Sequence, residues 1–218
     1  MALAPVTVDK DLEAIAEAVV STPQYSECGP GYLTKDRGIS AETLRAFQVQ
    51  KGEYGNALFP HLNKFSQWCG YEVKNRPPKG ETHSFTGFSK GGEKGLYFAW
   101  QDPEGQEPRR IVITEAAIDL MSYYQLHHAT QKDTMYVSTG GSALCPDQEG
   151  QLVTLLKAFP DASLVLAMDA DPAGDRFAAK VVGLAPVGMK IDRHTPPQHK
   201  DWNDYLLASL DDRSIEAA

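Results

Sequence analysis

Glu115, Asp119, Asp169, Asp171 and Asp201 are five acids whose positions suit metal-dependent chemistry on phosphate. Glu115 directly follows the apolar run Ile111 to Thr114, and Asp119 stands four residues on, one helical turn later and on the same side. Asp169 and Asp171 directly follow Leu164 to Met168, and a spacing of two lets both side chains leave an extended backbone in one direction. Asp201 precedes a last helical stretch, with Asn203 and Asp204 close behind. Any one of these acids alone reads as a helix cap. Acids at three separate strand ends read as a site, because bare carboxylates gathered in a low dielectric repel by roughly several kcal/mol and call for a cation. Magnesium or manganese is the natural choice: such ions take hard oxygen ligands, keep some water and sit between one or two carboxylates and a substrate phosphate. Two ions could clamp the attacking and leaving oxygens of a phosphoryl transfer.

The elements that must place these acids are legible as a strand-then-helix rhythm. Ile111–Thr114, Met135–Ser138, Leu164–Met168 and Val187–Asp192 read as buried strands. Helical spacing runs over Ala116–His128, near Asp147–Phe159, over Pro172–Val182 and after Asp201. This alternation predicts an α/β fold with a mainly parallel sheet covered on both faces, and the crevice of such a sheet lies beyond the carboxyl ends of its strands. Gly140 and Gly141 follow the second strand and Gly174 follows Pro172, where backbone can approach a phosphate or a neighbour. Before the polar stretch Gln101–Pro108, read as a linker, the pattern differs. It predicts a helix over residues 10–20, turns over Pro23–Pro30, a short helix capped by Ser40, and strands around Ala57–Phe59, Gly70–Val73 and Leu96–Ala99. The expected division is a smaller α+β subdomain over residues 1–107 and an α/β domain over 108–218.

Composition narrows the classes. The chain has 218 residues, 21 Lys and Arg against 29 Asp and Glu, and a net charge of −8, which opposes tight autonomous binding to a polyanion. Basic residues nevertheless gather between Lys64 and Lys94, interleaved with Trp68, Tyr71, Phe85 and Phe88, which suit core packing better than base stacking. No run approaches a membrane span and no signal-like start is present, so the expected location is the cytoplasm, with no membrane partner. Cys28, Cys69 and Cys145 are scattered without a Cys-x-x-Cys pair, which argues against both disulfides and structural zinc and suggests buried thiols.

The sequence resembles the Toprim domain shared by DnaG-type primases, topoisomerases and some nucleases. Ile-Val-Ile-Thr-Glu115 with Asp119, Ser-Thr-Gly140-Gly141 and Met-Asp169-Ala-Asp171-Pro-Ala-Gly174 match its three motifs in order. Tyr32 to Ile39, Leu58-Phe59-Pro60, Gly70 to Lys74 and Lys94 to Tyr97 look like the subdomain that precedes Toprim in those primases, and like a domain paired with Toprim in plasmid mobilisation and phage proteins. The resemblance implies Glu115 as ligand or general acid/base, Asp169 and Asp171 as metal ligands, and Asp119 and Asp201 as further acids around the ions. It implies Arg37, Lys74 and Lys94, with Gly140 and Gly141, as contacts to nucleotide or template.

Two positions depart from the family pattern: Ala116 stands where primases usually carry Gly, and Asn203 where a second acid is usual. Topoisomerase action would need a separate domain with a nucleophilic Tyr, and Tyr123 and Tyr124 read as packing residues. The expected function is a primase-like nucleotidyl transfer in DNA replication or plasmid and phage mobilisation, using single-stranded DNA, nucleoside triphosphates and magnesium or manganese, with a helicase, relaxase or other replication protein as partner. The alternatives are a metal-dependent nuclease using the same acids, and a non-catalytic recruiting module.

Overall fold

The computed structural model describes residues 31–77, 84–99 and 107–216, with side chains of the last helix through residue 212. The expected helix over 10–20, the turns over 23–30 and most of the linker lie outside the described residues.

In the first half, a wide helical turn over Tyr32–Asp36 leads to α1 (Ala41–Ala46). Ser40 caps α1 as expected, its Oγ accepting from the Thr43 amide at 3.1 Å. Four antiparallel strands follow in spatial order β1 (Gln50–Lys51), β2 (Ala57–Leu62), β3 (Trp68–Asn75) and β4 (Phe85–Phe88). The two-residue period of β2 turns Ala57, Phe59 and His61 inward. His61 is thus a polar residue placed where the pattern calls for an apolar one.

The second sheet contains β5 (Tyr97–Ala99), β6 (Arg110–Thr114), β7 (Thr134–Ser138), β8 (Ser163–Leu166) and β9 (Ile191–Arg193), in spatial order β5-β7-β6-β8-β9. β6 to β9 run parallel, and β5 joins the edge antiparallel to β7. The fourth parallel strand begins later than the sequence suggests, because Val187 is fully exposed and Gly188, at φ +88°, turns the chain. Alternation along β6 divides the core: Ile111 and Ile113 face α3 (Pro146–Ala158) and α4 (Pro172–Val182), while Val112 faces α2 (Ala117–His127) and α5 (Trp202–Glu216). Tyr123 is buried in this second layer, consistent with a packing role. Among the described residues no helix is long and apolar enough to cross a membrane.

The two halves share one core. Leu33, Ile39, Leu44, Phe47 and Phe59 pack into the same cluster as Leu120, Met121, Trp202 and Leu206. Leu62 and Leu96 exchange backbone hydrogen bonds of 2.8 and 3.0 Å, which hands the chain from the first sheet to the second. In the middle of this seam the buried Tyr97 hydroxyl donates to the Phe47 carbonyl at 2.6 Å. Tyr97→Phe strands that carbonyl away from water, and is expected to cost about 1–3 kcal/mol in urea unfolding; an unchanged midpoint would show that the bond contributes nothing to joining the halves.

Candidate functional site

Parallel strands end together, so their carboxyl ends form one edge on which successive loops meet. Glu115 leaves β6 there, Asp169 and Asp171 follow β8, and Asp201 opens α5. Backbone bonds hold these loops in place: Gly141 N donates to Glu115 O at 2.6 Å, Ala167 N to Ile113 O at 2.9 Å, and Ala170 N to Lys200 O at 2.7 Å. The Trp202 indole N–H donates to Ala167 O at 3.0 Å and anchors the start of α5 against β8. Pro172 sits in the first turn of α4, where its missing amide costs no bond. A Cβ on Gly174 would run into the Asp169 carbonyl, so only glycine lets α4 begin this close to the acid loop.

Burial and mutual proximity perturb the ionisation of the acids at this edge. Burial, then Glu115 and Asp201, push Asp169 up to about 6. Burial, then Asp171, raise Glu115, against the pull of the Asp169 amide, Arg193 and Lys200. Glu115 Oε1 is buried without a hydrogen-bond partner. Asp119 is pushed well above the carboxylate range by its crowded surroundings and by Asp201 and Asp169, although part of the residue still reaches solvent. Its Oδ1 accepts from Asn203 N at 3.3 Å, so Asp119 also caps α5 from the neighbouring helix. Asp171 goes the other way, since the Gly174 and Ala173 amides, both at 2.9 Å, favour its charged form. Lys200 Nζ lies 3.5 Å from Asp171 Oδ2 and is itself raised by Asp169 and Asp171. Among the described residues no three His, Cys, Asp or Glu side chains close on a single point as a ready-made metal cage.

The basic residues divide. Lys74 Nζ pairs with Glu72 Oε1 at 3.1 Å, reaches Thr86 Oγ1 at 3.3 Å, and lies close enough to Asp119 to temper its rise. Lys94 is exposed and donates to Gly140 O at 3.3 Å, which brings the first half to the glycine loop after β7. Arg37 stands apart. Its guanidinium is spent on Tyr32 OH at 2.9 Å, Asn203 Oδ1 at 3.1 Å and Ser84 Oγ at 3.0 Å, a clamp between the first half and α5. The same contact explains Asn203: its Nδ2 donates to Arg37 O at 2.8 Å and to Ser122 Oγ at 3.1 Å, which a carboxylate could not do.

Several residues of the site were not singled out from sequence. His61 is fully buried; its Nδ1 meets Gly95 O at 2.7 Å and so carries the proton, while Nε2 lacks a partner. Glu72 Oε2 is likewise buried and unpartnered. Gly140, at φ +65°, passes over this pair where a Cβ would meet the His61 ring at 2.7 Å. Nothing in the sequence marks His61, a lone histidine on a strand; for Lys200 the signal was its place next to Asp201, and for Arg193 its place just after the expected fourth strand. Of the aromatics, Trp68 and Tyr71 pack edge to face with centroids 5.9 Å apart, Phe88 packs on His61, and Phe85 is exposed. Cys69 and Cys145 are half-buried free thiols rather than fully buried ones, Cys69 near the start of β3 and Cys145 at the start of α3; Cys28 lies outside the described residues.

The sign of the Asp169 shift has a consequence for stability. With an ordinary value of 3.8 raised to about 6, the folded chain keeps a proton that the unfolded chain has released, so this residue's contribution falls as pH rises through about 6. Asp169→Asn cannot ionise. Without divalent ions it is expected to gain on wild type in thermal melts as pH rises from about 4 to about 7, by roughly a few degrees; a gap independent of pH would mean that Asp169 titrates normally.

Comparison with known proteins agrees with this architecture. Residues 112–206 match a family described as Toprim-like, and residues 31–105 match a protein family of unknown function, DUF3991. No curated protein matches the chain by sequence search. The primase fragment of the bacteriophage T7 primase-helicase is similar in structure, with a TM-score of 0.58 and 21% identity over 83% of this chain and 71% of that one. The RNA polymerase domain of Mycobacterium tuberculosis primase DnaG gives 0.55 and 18% over 92% and 80%. A DnaG primase catalytic domain solved bound to single-stranded DNA gives 0.53 and 15% over 95% and 79%. At such identities the likeness establishes the fold. Residues 112–206 thus carry a Toprim-like domain, a smaller domain precedes it, and the chain has the fold of the primase catalytic cores.

Proposed function

We propose that this chain is a metal-dependent nucleotidyl transferase core of the primase type, with a nucleic-acid-contacting subdomain over residues 1–107 and a Toprim domain over 108–218. The observation that carries the reading is the acid edge: Glu115 with an unpartnered buried oxygen, and Asp169 held at about 6 by burial and then by its acidic neighbours. These all-oxygen donors fit magnesium or manganese. The lack of a closed three-residue cage among the described residues is compatible with that fit, since magnesium is usually held by one or two carboxylates together with substrate phosphates.

Glu115, Asp169 and Asp171 would hold the metal, with Asp119 and Asp201 as acids behind them. When bound, a divalent ion there would offset charge on a transferring phosphoryl group. Glu115, raised by burial, is suited to take a proton from an attacking hydroxyl. Asp171 stays charged because backbone amides hold it so, and Lys200 supplies a positive charge beside it that a metal could replace, which would free the ammonium for a phosphate. Lys94 at the glycine loop, with Lys74 behind it, would meet nucleotide or template phosphate, Gly140 and Gly141 letting backbone approach. Arg37 supports this surface through the clamp on α5 rather than by a free guanidinium. Single-stranded DNA and nucleoside triphosphates are the proposed substrates, and a helicase, relaxase or other replication protein in the cytoplasm is the proposed partner.

The test is calorimetric titration of Mn²⁺ into wild type and into the Asp169→Ala/Asp171→Ala double variant, followed by primer synthesis and nicking assays on single-stranded DNA. Binding is expected in wild type and lost in the variant, with synthesis reduced by on the order of 10²–10³-fold or more, as for removal of other preorganised charge-stabilising groups. Nicking without synthesis would replace the transferase with a nuclease. Absence of Mn²⁺ binding in wild type would overturn both and leave a recruiting module.

A further inference from the structure

We infer that Arg193 is a positioning residue for Asp169: its guanidinium fixes the backbone that presents this carboxylate, and so sets the affinity of the acid edge for a divalent cation. The inference rests on the metal-site reading above and adds a residue to it.

β8 ends at Leu166, and the carbonyls that follow have left the ladder of the sheet, so each needs a donor from elsewhere. Arg193, the last residue of β9, provides it for Met168 and Asp169, while the Trp202 indole serves Ala167 O. Its Nη1 stands 3.2 Å from Leu166 O, 2.8 Å from Met168 O and 2.5 Å from His194 O, and its Nη2 stands 2.6 Å from Asp169 O. One side chain thus gathers the strand end, the acid's own carbonyl and the carbonyl of His194, the residue that follows Arg193. A planar fork with five donors can do this; an ammonium on a flexible stem cannot hold several carbonyls in one plane.

The ion pair that Arg193 makes does not account for its placement. Its partner Asp175 lies 3.3 Å away with a side chain 72% exposed, while the arginine side chain is only 25% exposed. An exposed pair of this kind contributes little. The two terminal nitrogens of the guanidinium are committed mainly to backbone carbonyls instead, and the Asp169 carbonyl that Nη2 reaches is the one on which Gly174 already closes. With Ala170 N tied to Lys200 O, the acid loop is held at consecutive residues and has little freedom to re-aim.

Wild type, Arg193→Met, Arg193→Lys and Asp175→Asn full-length chains are titrated with Mn²⁺ by calorimetry, each at a temperature well below its own melting midpoint. Arg193→Met is expected to bind Mn²⁺ roughly 10- to 100-fold more weakly, the usual effect of removing a group that orients a ligand. Arg193→Lys, which keeps the charge and loses the fork, is expected to lose affinity in the same range, and Asp175→Asn to stay within about twofold of wild type. A purely structural role lowers the melting midpoint and leaves the Mn²⁺ affinity of the folded protein unchanged. That result in Arg193→Met, or wild-type affinity in Arg193→Lys should the methionine variant not fold, overturns the inference and leaves the metal site standing. No binding by wild type removes the metal-site reading, and this inference with it.

Discussion

Mutual repulsion among carboxylates at the carboxyl edge of the parallel sheet is the constraint around which the second half is organised. Burial raises both Glu115 and Asp169; Asp171 adds to the rise of Glu115, and Glu115, Asp201 and Asp171 add to that of Asp169. The fold absorbs this repulsion in three ways without removing it. Asp171 is stabilised as an anion by the first amides of α4, an ordinary helix-start interaction put to use beside an acid site. Lys200 places a cation next to it. Asp119 is turned to the start of α5, where the Asn203 amide takes part of its charge. The remaining imbalance falls on Glu115 and Asp169, the two groups best placed to gain from an added cation.

The loops that carry these acids are tied to one another more tightly than to solvent. Ala170 and Trp202 connect the acid loop and β8 to the segment that opens α5, and Gly141 connects the loop after β7 to Glu115. Each tie uses a backbone group or a buried side chain, so the relative placement of the acids follows from strand order. Permuting the strands would separate Glu115 from Asp169 even with every local element intact, because β6 and β8 are direct neighbours in the sheet.

The seam between the halves uses buried polar groups as well as apolar packing. Gly95 O receives both the His61 ring and the Gln148 amide, and the same Gln148 amide reaches Thr139 O at 2.8 Å, next to the glycine loop. Arg37 and Asn203 make a second joint of the same kind. Such contacts demand a specific register, since a misplaced seam would leave several buried donors and acceptors unpaired. The first half is thereby fixed against the edge that carries the acids, with Lys74 and Lys94 on the side that faces it.

Local pattern alone determined much of this. Periodicity identified the strands and helices that carry the site, Ser40 and Pro172 marked helix starts, and the acids at the ends of β6 and β8 were legible because in a βαβ arrangement position along the chain dictates which edge a residue reaches. Tertiary structure decided what no window of sequence contains. Arg37 looked like a phosphate contact and became a clamp, because its partner Asn203 is 166 residues away. His61 looked like one more strand residue, and its burial beneath Gly140 depends on two sheets meeting. Arg193 showed only a charge at a strand end. That its guanidinium would gather the carbonyls of β8 and Asp169 followed from β9 pairing beside β8, a long-range contact whose geometry is set by the packed sheet and not by neighbouring residues.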